Sequence, residues 1–294
     1  MNHPFRGLGT ALVTPFKKSG GLDEEALRRL VHFQIKAKVD FLVPLGTTGE
    51  ATSLEEPEYF RVVEICMEES HQKLPLLVGA GSNNTAHSVS LTRELHRMGV
   101  QGTLQVVPYY NKPTPEGQYR HFRAIADAAP LPMVVYNIQS RTSVNMSTST
   151  LMRLAKIDNI VGVKEASGNL PQMLEVLHRR PAGFSVLSGD DLYTLSLIAC
   201  GGDGVISVLS NIAPADVRKM VQLALSGKFD SARKLQGQYL DLIQDLFVET
   251  NPIPVKTALA AMGMIEEHFR LPLASMQSEN KARLLQNLKR VGLK

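Results

Sequence analysis

Residues 160–166 read Ile160-Val161-Gly162-Val163-Lys164-Glu165-Ala166, a short apolar run that ends on two opposite charges. The run is largely β-branched and has no polar alternation, the pattern of a strand buried on both faces. On either side of it, runs of the same kind stand at 9–13, 41–45, 76–78, 102–107, 132–136, 184–187 and 204–208. The stretches between them have helical spacing, as at Leu27, Leu30, Val31 and Ile35, or Val89, Leu95 and Met98. Acidic residues open several of these, at 23–25 and 55–58, where they suit the positive end of a helix dipole. The chain therefore alternates β and α eight times.

An open doubly wound sheet could use the same units, but eight regular repeats in about 220 residues favour closure into an α/β fold of the (β/α)8 TIM-barrel type. The dinucleotide fingerprint is missing as well: Gly79-Ala80-Gly81 lacks a third glycine, and Gly201-Gly202-Asp203-Gly204 precedes a strand instead of following one. After Asn211 the strands stop, and 214–226, 229–248, 254–264 and 278–291 read as helices. They complete the last barrel helix and add a C-terminal helical extension, so the expected division is a barrel over 1–224 and a helical domain over 225–294.

A length of 294 residues suits one barrel of about 250 residues with an appendage and would cramp two catalytic domains. A hydrophobic fraction of 44% and a charged fraction of 20% provide a real core and exclude a disordered chain. The net charge of +4 is spread along the sequence, which gives a nucleic-acid partner no electrostatic footing. Residues 1–8 lack an apolar segment followed by a cleavage site, and no stretch approaches the roughly 18 apolar residues of a membrane span. A cytoplasmic protein with no membrane partner is expected. Cys66 and Cys200 both fall in helical segments without paired spacing and read as reduced packing residues.

Function in such a barrel sits where the strands end at their C-terminal face. Lys164 stands at one of those ends, and strand alternation puts it on the same face as Ile160 and Gly162. If that face is the interior, the ammonium is poorly hydrated, with the small Gly162 leaving space beside it. Burial disfavours the charged form, and an amine must be neutral to attack a carbonyl. Bringing a lysine from about 10.4 into the 7–8 range takes roughly 4 kcal/mol of differential solvation, which burial can supply. The alternative is a lysine that snorkels to the rim and pairs with Glu165 or Asp190.

Other strand ends carry polar groups of less specific meaning. Tyr136 and Tyr110 offer phenols that could pass a proton and Thr47 a hydroxyl that could link them, although a strand-end tyrosine more often simply packs. Gly46-Thr47-Thr48-Gly49 permits a tight turn with amides free for a carboxylate. Arg141, in Ser140-Arg141-Thr142, could grip a second carboxylate in a bidentate pair or make an ordinary surface salt bridge. The eight histidines form no metal-binding spacing, so covalent amine chemistry without metal or cofactor is the economical reading.

Taken together and in order, these motifs resemble the dihydrodipicolinate synthases of the pyruvate-dependent N-acetylneuraminate lyase superfamily. The resemblance runs from Gly9-Thr10-Ala11-Leu12-Val13-Thr14-Pro15 through Gly46-Thr47-Thr48-Gly49-Glu50, Pro108-Tyr109-Tyr110-Asn111, Tyr136-Asn137 and Ser140-Arg141-Thr142. It continues through Val161-Gly162-Val163-Lys164-Glu165-Ala166, Ser188-Gly189-Asp190-Asp191 and Gly204-Val205-Ile206-Ser207-Val208 to Asn251-Pro252-Ile253-Pro254-Val255-Lys256. It implies that Lys164 forms an imine with pyruvate, whose carboxylate is held by Thr47, Thr48 and nearby amides. Tyr136 then donates and accepts protons, linked through Thr47 to Tyr110, which reaches in from a neighbouring subunit of a homotetramer. Arg141 anchors the carboxylate of L-aspartate 4-semialdehyde, and the carbonyl of Ile206 faces the Schiff-base lysine. The implied product is 4-hydroxy-tetrahydrodipicolinate, the entry to diaminopimelate and lysine.

Gln139 stands where the resembled family usually carries proline, which would make the Arg141 loop less rigid and bear on affinity for the aldehyde. A sister chemistry, cleavage of N-acetylneuraminate or of a 2-keto-3-deoxy sugar acid, uses the same lysine and tyrosine, but Thr47, Tyr110 and Ser140-Arg141-Thr142 favour the amino-acid pathway. A non-catalytic keto-acid-binding relative is expected to lack Lys164 or Tyr136, and both are present. Lysine-sensitive members of the family hold the effector in a cleft between subunits, matched here by Thr52, Glu56, Tyr59, Asn83, His87 and Tyr109. His87 replaces the glutamate that receives an ammonium of lysine, so weak or absent inhibition is expected.

Overall fold

The computed structural model describes residues 3–71 and 73–294, so the first two residues of the N-terminal stretch read above lie outside it. Eight parallel strands alternate with helices: β1 (Gly7–Ala11), α1 (Glu24–Lys36), β2 (Phe41–Val43), α2 (Glu56–Ser70), β3 (Leu77–Gly79), α3 (Thr85–Met98), β4 (Gly102–Val106) and α4 (Pro115–Ala126) in the first half. The second half runs β5 (Met133–Asn137), the single turn α5 (Gln139–Thr142), α6 (Thr148–Leu154), β6 (Ile160–Glu165), α7 (Leu170–Arg179), β7 (Ser185–Ser188), α8 (Thr194–Ala199), β8 (Gly204–Ser207) and α9 (Pro214–Leu225). α10 (Phe229–Asp245), α11 (Ile253–Ala261) and α12 (Ser278–Arg290) follow.

The strand order is β2-β1-β8-β7-β6-β5-β4-β3, with β2 and β3 at its two ends. A parallel bridge between Leu42 and Leu76, with the amide of Gly79 donating to the carbonyl of Pro44 at 3.0 Å, closes the ring. This is the (β/α)8 barrel expected from the strand count. Its interior is filled by one residue in two from the strands, Ala11, Val43, Leu77, Leu104, Val134, Tyr136, Val161, Leu187 and Ile206. Phe5 and Phe41, edge to face at 5.5 Å, fill the end of the barrel where the strands begin. The outward residues pack beneath the helices, as Val107, Val135 and Val163 do with Phe122 and Ile125 of α4.

Helix starts follow local chemistry. Asp23, Asn84, Thr114, Ser147 and Asn169 each accept a backbone amide in the first turn of the helix they precede, satisfying donors that have no partner within the helix. The strands begin and end within about two residues of their expected places, the uncertainty usual for element boundaries. Cys66 is buried in α2 as expected, but Cys200 is not a packing residue: it caps the end of α8 and is exposed, because α8 stops after one and a half turns and turns its last residue outward.

Candidate active site

The strands deliver Lys164 and Tyr136 to one place. They are partners in the register of β5 and β6, both are at least 94% buried, and the lysine Nζ lies 4.2 Å from the centroid of the tyrosine ring. The snorkelling alternative is thereby excluded. Burial brings the Lys164 amine down to about 7, opposed by the negative field of Asp191 and assisted by the cation of Arg141. Burial also pushes the Tyr136 phenol up to about 12, with Arg141 and the Thr47 hydroxyl pulling the other way. Near neutral pH the pair thus has an amine of which about half is in the neutral form, beside a protonated phenol.

Two details of the strand reading need correction. Lys164 does not share a face with Ile160: the β5–β6 register passes from Met133↔Ile160 to Val134↔Gly162, so β6 carries one extra residue there. Such a bulge breaks the alternation. Ile160 packs outward with Val163, while Val161 and Lys164 turn into the barrel. Nor is Gly162 the glycine that makes room for the lysine. A Cβ on Gly162 would meet the Ser185 carbonyl at 2.7 Å, whereas one on Gly189 would stand 3.2 Å from both Cγ and Cε of Lys164.

Thr47 and Thr48 lie in the loop after β2. Its turn is closed by the amides of Gly49 and Glu50, which donate to the carbonyls of Gly46 and Thr47 at 3.0 and 3.1 Å, and the Thr14 hydroxyl donates to the Gly49 carbonyl at 2.7 Å. Of the two bracketing glycines only Gly49 is sterically required, since a Cβ there would lie 2.7 Å from the Leu45 nitrogen. The Thr47 hydroxyl faces the Tyr136 phenol. The Thr48 hydroxyl is buried and accepts from the side-chain amide of Asn251 at 2.9 Å.

Arg141 is exposed on α5, and its Nη2 donates to the Asn251 carbonyl at 3.0 Å. Gln139 opens that turn, and the Thr142 hydroxyl, with its single proton placed between the carbonyls of Ile138 and Val144 at 2.9 Å each, secures its end. Ile206 lines the barrel on β8. Tyr110 is not part of the buried cluster. It projects from the loop after β4 with left-handed backbone, φ 71°, and is 88% exposed.

The residues that sequence reasoning left without a role are those that tie these pieces together. Asn251 touches both the Thr48 loop and Arg141, although 203 residues separate it from Thr48. Asp191 is buried behind Lys164 and accepts from the amides of Val208 and Leu209 at 2.9 and 3.0 Å. Both stood in quoted motifs, but contacts across such distances in the chain leave no local signature. Among the described residues no cluster of three or more histidine, cysteine or acidic side chains is set to hold a metal, and no helix is long and apolar enough to cross a membrane.

A closed barrel with a desolvated lysine and a tyrosine paired across two strand ends defines a class, barrels equipped for covalent chemistry on a carbonyl through an amine. The sequence model of the Dihydrodipicolinate synthetase family matches residues 4–291, and the chain belongs to that family. It is 51% identical over 95% of its length to the 4-hydroxy-tetrahydrodipicolinate synthase of Koribacter versatilis, of which it covers 93%. It is 48% identical over 98% of its length to the enzyme of the same name from Syntrophus aciditrophicus, covering 99% of that protein. The crystal structure of dihydrodipicolinate synthase from Aquifex aeolicus superposes with a TM-score of 0.96 at 43% identity, over 98% of this chain and 99% of that one.

Proposed function

We infer that this chain is a carbon–oxygen lyase that condenses pyruvate with L-aspartate 4-semialdehyde to give 4-hydroxy-tetrahydrodipicolinate, in the route to diaminopimelate and lysine. The observation that carries the reading is the pairing of Lys164 with Tyr136 inside the barrel, the amine down to about 7 and 4.2 Å from the ring. The synthase name of the relatives favours this substrate pair over a sugar-acid lyase.

The Lys164 amine attacks the C2 carbonyl of pyruvate. Tyr136 supplies the proton that lets hydroxide leave as water, and an imine to Nζ forms. The Tyr136 phenolate left by that step takes a C3 proton, with the protonated imine as electron sink. The resulting enamine attacks the aldehyde carbon through C3, and the phenol returns the proton to the aldehyde oxygen, which becomes the hydroxyl. The amino group of the second substrate then attacks C2, closing the ring and returning Lys164 as a free amine. The electron sink is the imine itself, so the reaction calls for neither metal nor cofactor.

In this reading Thr47, Thr48 and their amides hold the pyruvate carboxylate, Arg141 holds that of the aldehyde, and the Ile206 carbonyl faces the imine. Tyr110 completes the relay of a neighbouring subunit, which its 88% exposure supports. A homotetramer built as a dimer of dimers, a cytoplasmic location, and the division at 224/225 into catalytic barrel and helical domain belong to the same reading. Its test is reduction with borohydride in the presence of pyruvate, which converts an imine into a stable amine. Peptide mass mapping is expected to find the adduct on Lys164. An adduct on another lysine, or none, would refute the mechanism.

A further inference from the structure

Glu50 and Lys256 form an ion pair that the protein encloses completely. The lysine Nζ lies 2.6 Å from Oε1 of Glu50, and their side chains are 0% and 1% exposed for Lys256 and Glu50 respectively. Lys256 comes from α11, 206 residues further along the chain, and its ammonium is covered by the rings of Phe16 at 4.3 Å and Phe269 at 5.4 Å. Glu50 ends the loop that carries Thr47 and Thr48. Its backbone is left-handed, φ 51°, as is that of Leu45 at the other end of the loop, φ 61°. Non-glycine residues in that region are strained and persist where their surroundings hold them.

A buried ion pair is a poor source of stability, because removing both charges from water offsets their attraction; its best-attested use is to select one arrangement over others. Docking of the C-terminal helices does not depend on it alone. Arg270 provides a second clamp farther out, donating to Glu58 and to the carbonyls of Gly20 and Ser53. What the inner pair holds in addition is the loop itself, which Asn251, from the same stretch as Lys256, grips again at Thr48.

We propose that the Glu50–Lys256 ion pair is a positioning device for the Thr47–Thr48 loop, fixing it at the height where its amides and hydroxyls meet the carboxylate of pyruvate. The proposal rests on the reading of that loop as the pyruvate-carboxylate site. Glu50 and Lys256 are positioning residues: both are sealed from the substrate and act through Thr47 and Thr48.

The experiment is the double variant Glu50→Gln/Lys256→Met, which removes both charges together and keeps the volume. Borohydride trapping at Lys164 is measured against pyruvate concentration, beside the thermal midpoint. The half-saturating pyruvate concentration is expected to rise tenfold or more, with the trapped fraction still reaching its plateau at high pyruvate. A control, Glu58→Gln/Arg270→Met, loosens the outer clamp and is expected to lower the thermal midpoint while leaving half-saturation within twofold. A folded inner-pair variant with half-saturation within twofold of the parent would overturn the proposal, and so would an equal rise in the control. If the inner-pair variant does not fold, Glu50→Gln alone is read in the same way; failure of both to fold would make the pair a folding determinant and overturn the proposal as well. Absence of trapping in the unsubstituted protein would instead refute the reading of the site.

Discussion

The side-chain amide of Asn137 donates to both carboxylate oxygens of Glu165, at 3.4 and 3.2 Å, one residue beyond the Tyr136–Lys164 pair on the same two strands. Successive strand residues point to opposite faces, so this contact fastens β5 to β6 behind the Tyr136 and Lys164 side chains. Asn137 is fully engaged, since its carbonyl also accepts the Met146 amide at 3.0 Å. Asn137→Leu is expected to cost about 1–3 kcal/mol or more, because it leaves the buried Glu165 short of a donor. Urea unfolding checks this; an unchanged midpoint would show that the contact contributes nothing.

The Lys164 amine, brought down to about 7, fixes a pH dependence. At limiting pyruvate, adduct formation is expected to rise about tenfold per pH unit below that value and level off above it. An unburied lysine would let the rate climb toward about pH 10. The stability consequence has a definite sign: the unfolded chain holds the extra proton between about 7 and the ordinary 10.5. Burying Lys164 therefore destabilises fully below about 7, less as pH rises, and not at all above the ordinary value. Rates of trapping from pH 5.5 to 9.5 decide it, and continued increase beyond about pH 8.5 would contradict the assignment.

Arg141→Ala is expected to impair use of the aldehyde while leaving the pyruvate adduct largely intact. Losing a charge-assisted carboxylate pair costs about 1.5–3 kcal/mol, roughly ten- to a hundredfold in kcat/KM. Steady-state kinetics with each substrate varied in turn supplies the comparison. Equal loss in both half-reactions would show that Arg141 does not serve the second substrate alone.

Tyr110 lies on the surface of its own chain, so its role is tested across subunits. Tyr110→Phe and Lys164→Ala proteins, each impaired by itself, are expected to regain activity when mixed, because one hybrid site receives both intact groups. Subunit exchange demonstrated by mass spectrometry without any recovery would mean that each chain is self-sufficient.

Feedback by lysine is expected to be weak or absent. His87 is exposed on α3 where sensitive relatives place a glutamate, and imidazole cannot replace that partner for an ammonium. Tyr59 offers no substitute, since it is buried and spends its hydroxyl on the Gly79 carbonyl at 2.8 Å. Loss of such a partner costs about 2–5 kcal/mol. Initial rates at saturating pyruvate are the measurement, and half-inhibition below about 1 mM, roughly −4 kcal/mol of binding, would show that Glu56 or another group has taken over.

The eight strands, the barrel and the placing of Lys164 at a strand end were legible because each rests on local pattern: buried runs of β-branched residues, helical spacing between them, and a cation ending an apolar strand. Thr47, Tyr136 and Arg141 were singled out through motif order, and their roles belong to the proposal. The face on which Ile160 lies was not, because a bulge is a property of two strands and depends on what stands opposite. The same holds for Gly189, whose missing Cβ matters only once β6 and β7 are side by side, and for Cys200, exposed because α8 ends where it does. Above all, Asn251 and Lys256 had no readable role: their partners Thr48 and Glu50 lie more than 200 residues away, and only closure of the chain brings a C-terminal amide and ammonium against an N-terminal loop. Local periodicity prescribes elements, while contacts between residues remote in sequence are fixed by the packing that brings those elements together.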